Sequence, residues 1–150
     1  MKKVLIGILF FGIGVVLSLA LSSFFRNLII DLYKITTNNG IQFYGKGFFL
    51  FFSSQYYILF GLAFLFFGVI NWQSNLKKVL IRLLFLVLLF SISLIAICAF
   101  DANLKIITCT MCDDGIFKIN RNGINYETII LISLVIGLIP SLVKSIRKVK

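Results

Sequence analysis

Four long apolar runs, Val4–Phe25, Phe48–Ile70, Leu83–Phe100 and Ile129–Val143, decide which solvent this chain folds in. Each is apolar on every side, so each needs apolar surroundings in every direction. A chain of 150 residues has too small a core to bury four such helices in water. A bilayer supplies those surroundings, and a spanning helix needs about 20 mostly apolar residues to cross about 30 Å of hydrocarbon. The runs hold 22, 23, 18 and 15 residues, so the last takes Thr128 and Lys144–Ile146 to reach spanning length. The mean hydropathy of +1.06 leaves no stretch for a separate soluble domain. The expected fold is an all-α membrane protein: one integral membrane domain over residues 1–150, a bundle of four transmembrane helices at roughly 4–25, 48–70, 79–100 and 128–146.

Charge orients these spans. The net charge is +10, which in a soluble chain points to nucleic acid. Here the basic residues flank apolar runs, where Lys and Arg set topology and meet anionic headgroups, so no nucleic-acid partner is expected. Lys2, Lys3, Lys77, Lys78, Arg82, Lys144, Arg147, Lys148 and Lys150 occupy both termini and the short second connection, with no acid among them. The longer connections, Arg26–Gly47 and Asp101–Thr128, carry all five acids. The positive-inside rule then places both termini in the cytoplasm and the two long loops outside, the layout expected in a bacterial plasma (inner) membrane. Arg82 and Trp72 read as anchors at the inner interface, the arginine snorkelling to headgroups. Pro140 is expected to kink or end the fourth helix.

The first run has a rival reading. Lys2-Lys3, an apolar stretch and the small residues Ala20 and Ser22 resemble a cleavable signal peptide. Val4–Ala20 is 17 residues, longer than the usual apolar core of about 7–15, so retention as a span is favoured.

Both outer loops contain Asn-Gly between stretches that alternate apolar and polar: Asn39-Gly40-Ile41 and Asn122-Gly123-Ile124. Asn-Gly supplies the positive φ angles of a two-residue hairpin turn. Two small β-hairpins are expected, with the option of one shared sheet and a further strand at Lys105–Thr108. The same match hints at a duplicated helix–hairpin–helix unit, although hairpin preference alone explains it.

Cys109-Thr-Met-Cys112 is the one chemical motif, and its compartment is oxidising. The favoured reading is a structural disulfide between Cys109 and Cys112. A redox pair is the second, with Cys109 and Cys112 as catalytic residues, and a metal site with Asp113 and Asp114 the third. Two adjacent carboxylates oppose a thiolate, which argues against a highly activated nucleophile. A closed zinc site wants a second Cys/His pair that this chain lacks. Cys98 reads as a small apolar residue.

Helices in lipid associate at small residues and through hydrogen bonds. Gly14, Ser18 and Ser22 form one stripe, and Ser133, Gly137 and Ser141 form another. The two are expected to meet, packing the first span on the fourth. Gly61 and Gly68 offer another close contact. Ser53, Ser54, Gln55, Tyr56 and Tyr57 read either as a polar pocket near Ser91, Ser93 and Cys98, or as an interfacial belt with membrane entry at Tyr56.

With no histidine, no acid inside a run and no cofactor loop, the expected function is non-enzymatic and cofactor-free. The chain is expected to act through protein–protein contacts, as an accessory, assembly or immunity-type subunit. Its partners are the lipid bilayer and either a membrane protein or a second copy. A thiol–disulfide oxidoreductase using the CxxC, and a small-molecule carrier or channel using the polar cluster, are the alternatives.

Overall fold

Apolar residues without a break force the backbone to satisfy its own hydrogen bonds, and a helix does this within one segment. The computed structural model describes residues 2–38, 40–45, 52–107 and 117–146, with side chains through Val143. Its helices are α1 (Lys2–Thr36), α2 (Ser54–Asn71), α3 (Leu76–Ile107) and α4 (Tyr126–Ile146). All four contain stretches long and apolar enough to cross a membrane. Strand β1 (Ile41–Tyr44) follows α1, and strand β2 (Phe117–Asn120) precedes α4.

α1 and α2 run antiparallel, with Gly7 beside Val69 and Gly14 beside Gly61 and Phe64. A Cβ built on Gly14 would sit 2.8 Å from Phe64 Cβ, and one on Gly68 would sit 2.5 Å from Phe10 Cγ. These glycines therefore set how closely the two backbones approach. α3 and α4 form the second antiparallel pair. There Gly137 faces the Leu86 carbonyl and Phe90, and Ser93 Oγ donates to the Ser133 carbonyl at 3.3 Å. The expected mating of the two small-residue stripes is thus replaced by separate approaches: Gly14 meets α2, and Gly137 meets α3. Ser18 and Ser133 are buried and donate to carbonyls of their own helices, Val15 and Ile129. Ser22 does the same to Leu19, and Ser141 is buried in α4.

α1 and α3 exceed their expected spans. At 1.5 Å per residue they measure about 52 and 48 Å, against about 30 Å of hydrocarbon. Both run past the first turns of α2 and α4, and the strands lie at that end. In place of hairpins, β1 and β2 pair with each other in parallel, in the register Ile41↔Phe117 and Phe43↔Ile119. The two loops do share a sheet. Lys105–Ile107, expected as strand, belongs to α3; Thr108 is outside the described residues. Asn122-Gly123 sits in a 3-10 turn capped by the Asn120 side chain. Asn39 is outside the described residues, and Gly40 N donates to the Thr37 carbonyl at 2.8 Å. The Asn-Gly steps are not equivalent, since one precedes its strand and the other follows. Even so, each half reads long helix, short strand, shorter helix.

Side-chain burial is greatest at the strand end. Ile29, Tyr33, Cys98 and Ala102 are fully enclosed there, beside Ile41, Ile119, Ile124 and Tyr126. Lower down, Val4, Ile8, Val16, Leu84 and Leu88 stand exposed around the bundle. The Tyr33 hydroxyl donates to Asp101 Oδ2, tying α1 to α3, and Lys105 adds an ion pair to Asp101 at 3.4 Å. At the opposite end Asn71 is buried, and its amide donates to the Phe67 carbonyl at 2.8 Å. Arg82 turns back and donates to the side-chain amide oxygen Oδ1 of Asn71 and to Ser74 Oγ. It therefore ties α3 to the end of α2 across the turn, and Trp72 is half-buried at the C-terminal cap of α2. Pro140 does not end α4, which continues to Ile146.

Candidate functional site

The strand end holds a polar cavity built from four segments. Its first element is Ser53. α2 begins at Ser54, six residues later than expected, because Ser53 adopts an extended conformation and caps the helix by accepting from Tyr56 N at 3.3 Å. A serine at this position satisfies one of the orphan donors of the first turn. Its own backbone N–H and hydroxyl then donate to Glu127, one to each carboxylate oxygen, both at 2.6 Å. Glu127 lies in the first turn of α4. One carboxylate therefore joins the positive ends of two helices, where negative charge is favoured.

Arg26 supplies the second element. It lies within α1 rather than at the start of a loop. Its guanidinium carbon sits 5.3 Å from the Phe52 ring centroid and 5.4 Å from that of Tyr126. Both rings are buried. An arginine held against aromatic faces gains cation–π attraction while its direction is fixed. Tyr126 is in turn fixed by donating its hydroxyl to the Arg121 carbonyl at 2.7 Å. Asn122, Asn125 and Thr128 complete a cavity of about 470 Å³.

The polar cluster of the second apolar run is dispersed. Ser53 caps α2, Ser54 opens it and Gln55 is exposed. Tyr56 is buried with its ring 4.7 Å from that of Phe52, and Tyr57 OH accepts from Phe52 N at 3.1 Å. Ser91 lies instead at an apolar recess of about 480 Å³ between α1 and α3, and its hydroxyl donates to the Val87 carbonyl of its own helix. Ser93 bonds across to α4, and Cys98 is buried at the strand end. No shared polar pocket joins these groups among the described residues. Cys109, Cys112, Asp113 and Asp114 lie outside the described residues. Within the described residues no three Cys, Asp or Glu side chains converge as a metal ligand set.

Arg26 and Glu127 escape a sequence reading that assigns both to loops. The signal for Arg26 was present: Phe25, Leu28, Ile29, Leu32 and Tyr33 recur at helical spacing, which carries the helix past residue 26. The Ser53–Glu127 pairing, 74 positions apart, has no local signal. No protein-family model matches the chain, and neither a curated protein nor a solved structure matches it significantly.

Proposed function

We propose that this chain is a small polytopic protein of a bacterial inner membrane, with both termini cytoplasmic, that works without catalysis through contacts with a membrane protein partner or a second copy. Accessory, assembly and immunity-type subunits act in this way. The observation that carries the reading is the headpiece at the strand end. α1 and α3 outrun a hydrocarbon layer, and their ends are locked together by Tyr33 and Asp101 and roofed by the β1–β2 pair. Ordering a packed unit outside the lipid costs conformational entropy, and a fixed recognition surface is a use for that order. Gln42, Tyr44 and Lys118 are exposed on it and define the contact surface.

Site-specific photo-crosslinkers placed at Gln42 and Lys118 in native membranes test this. Discrete protein adducts at these positions, absent from a lipid-level control at Ile8, are expected. Lipid adducts alone at all three positions would overturn the reading. Sidedness is tested by a membrane-impermeant maleimide on intact cells, in a background with Cys109 and Cys112 changed to Ser. Gln42→Cys is expected to label and Lys2→Cys to remain unlabelled; the reverse pattern inverts the topology.

A further inference from the structure

We propose, building on the contact surface and membrane placement given above, that the headpiece recognises an acidic segment of a different protein. Lys34, Lys118 and Arg121 receive its carboxylates around a cavity beside β1.

The fold gathers these cations from separate elements. A cavity of about 370 Å³ runs along β1, lined by Lys34, Ile41, Gln42, Phe43 and Arg121. Lys34 belongs to the last turn of α1, and Arg121 to the 3-10 turn that follows β2. Lys118 stands opposite Gln42 in the strand register, and both are exposed. A third cation is thus one strand spacing, about 4.7–4.9 Å along the sheet, from the cavity wall.

None of the three charges is neutralised within the headpiece. Lys34, Lys118 and Arg121 are exposed, and no ion pair joins any of them to an acid among the described residues. Arg121 meets the Tyr126 hydroxyl only through its backbone carbonyl. The nearby acids are engaged elsewhere: Asp101 with Tyr33 and Lys105, Glu127 with Ser53. Asp31, three residues before Lys34, makes no ion pair with it. Like charges drawn to one concavity repel each other. A carboxylate seated between them turns that repulsion into attraction, and a guanidinium can hold it with two parallel bonds.

Height selects a protein over a lipid as the source of that carboxylate. α4 begins at Tyr126, whose ring Arg26 covers, so Arg26 marks the level where the spans of α2 and α4 begin. Lys34 is eight residues further along α1, which is about 12 Å. A headgroup layer is only roughly 5–8 Å deep on each side of the hydrocarbon. The cation cluster therefore faces the aqueous phase beyond it. Symmetry selects against a second copy. A two-fold dimer through this surface would set the patch against itself, and like charges across an interface are unfavourable.

The test uses the full chain in dodecyl maltoside at low ionic strength. The probe is a short rhodamine-labelled peptide of alternating Glu and Thr, with its Gln–Thr counterpart as control, read by fluorescence anisotropy. Wild type is expected to bind the Glu peptide saturably and the Gln peptide far more weakly. Lys34→Gln and Arg121→Gln should each weaken binding about threefold to fivefold, the upper range for one exposed ion pair. Arg121→Glu should weaken it at least tenfold, since repulsion replaces attraction. All three sites are exposed, so the unfolding midpoint should not move. Lys77→Gln with Lys78→Gln, exposed at the opposite end, should leave binding unchanged. An equal loss in that control would overturn the proposal, because net charge alone would then explain binding. Equal binding in wild type and the patch variants would overturn it too. So would patch variants that keep the peptide but lose adhesion to phosphatidylglycerol vesicles, which would make the ligand a membrane surface. The contact reading fails separately, through the absence of protein adducts at Gln42 and Lys118 in wild-type membranes. Adducts that persist unchanged in Arg121→Glu would leave that reading standing and remove the acidic partner.

Discussion

Ser53 and Glu127 are bound twice over: the serine's backbone N–H and its hydroxyl each donate to a different oxygen of the same carboxylate, both at 2.6 Å. The pair joins the cap of α2 to the first turn of α4 and is a direct polar link between the two halves of the chain. Glu127→Gln keeps the shape, removes the charge and puts an amide N–H where one acceptor stood. Hydrogen bonds to charged groups contribute about 1.5–3 kcal/mol; this site is partly open to solvent, so a loss of about 1–2 kcal/mol is expected. Unfolding of the purified protein in detergent measures it. An unchanged midpoint means the two helix starts are held by packing alone.

Tyr33 and Asp101 make the second cross-link, between the protruding ends of α1 and α3. The tyrosine is fully enclosed, while Asp101 is half-exposed and shared with Lys105. A double-mutant cycle with Tyr33→Phe and Asp101→Ala separates their interaction from the effects of each deletion. A favourable coupling of about 1–2 kcal/mol is expected. Strictly additive losses would show that the contact does not stabilise the headpiece.

The four long apolar helices were legible because their cause is local: unbroken apolar runs need no knowledge of tertiary partners. The ends were harder. Arg26, Asn27, Asp31 and Lys34 mark a change of solvent, and a reading by hydropathy stops α1 there. The backbone does not stop, since Phe25, Ile29 and Tyr33 keep helical spacing and bury one face in the headpiece. The start of α2 differs in the opposite sense: hydropathy opens the span at Phe48, whereas α2 begins at Ser54 behind its Ser53 cap. The parallel pairing of β1 and β2 joins residues 76 positions apart, Ile41 with Phe117. Asn-Gly, a local signal for hairpins, carries no information about such a pairing. The cavity combines both difficulties, one residue hidden by the hydropathy boundary and another by distance along the chain.

Glycines separate close approach from mere presence. Gly14 and Gly68 abut α2 and α1 respectively, while a Cβ on Gly12 would meet nothing within 4 Å. Gly14→Leu and Gly68→Leu should each destabilise by about 1–3 kcal/mol or prevent assembly, the range seen for overpacking. Gly12→Leu should be neutral or stabilising by up to about 1 kcal/mol, since helix propensity improves. Gly137→Leu should also destabilise, because its Cβ would stand 3.0 Å from the Leu86 carbonyl oxygen. Its cost should add to that of Gly14→Leu, as the two strain different helix pairs. Strong coupling between them would restore a direct contact between the two stripes.

The parallel strand pair gives the sharpest test of topology, because it brings together residues that two separate hairpins would keep apart. Gln42 pairs with Lys118, and both are exposed. Adjacent strands lie about 4.7–4.9 Å apart, inside the roughly 4.4–6.8 Å window of Cα separations that a disulfide accepts. Gln42→Cys with Lys118→Cys, in a background with Cys109 and Cys112 changed to Ser, should therefore cross-link rapidly under mild oxidation. The offset pair Gln42→Cys with Asn120→Cys has diagonal neighbours about 7–8 Å apart and should cross-link poorly. The readout is a mobility shift on non-reducing gels that thiols reverse. Efficient closure of the offset pair would shift the register by two residues. Closure of neither pair would remove the shared sheet, and with it the roof over the α1 and α3 ends on which the contact surface depends.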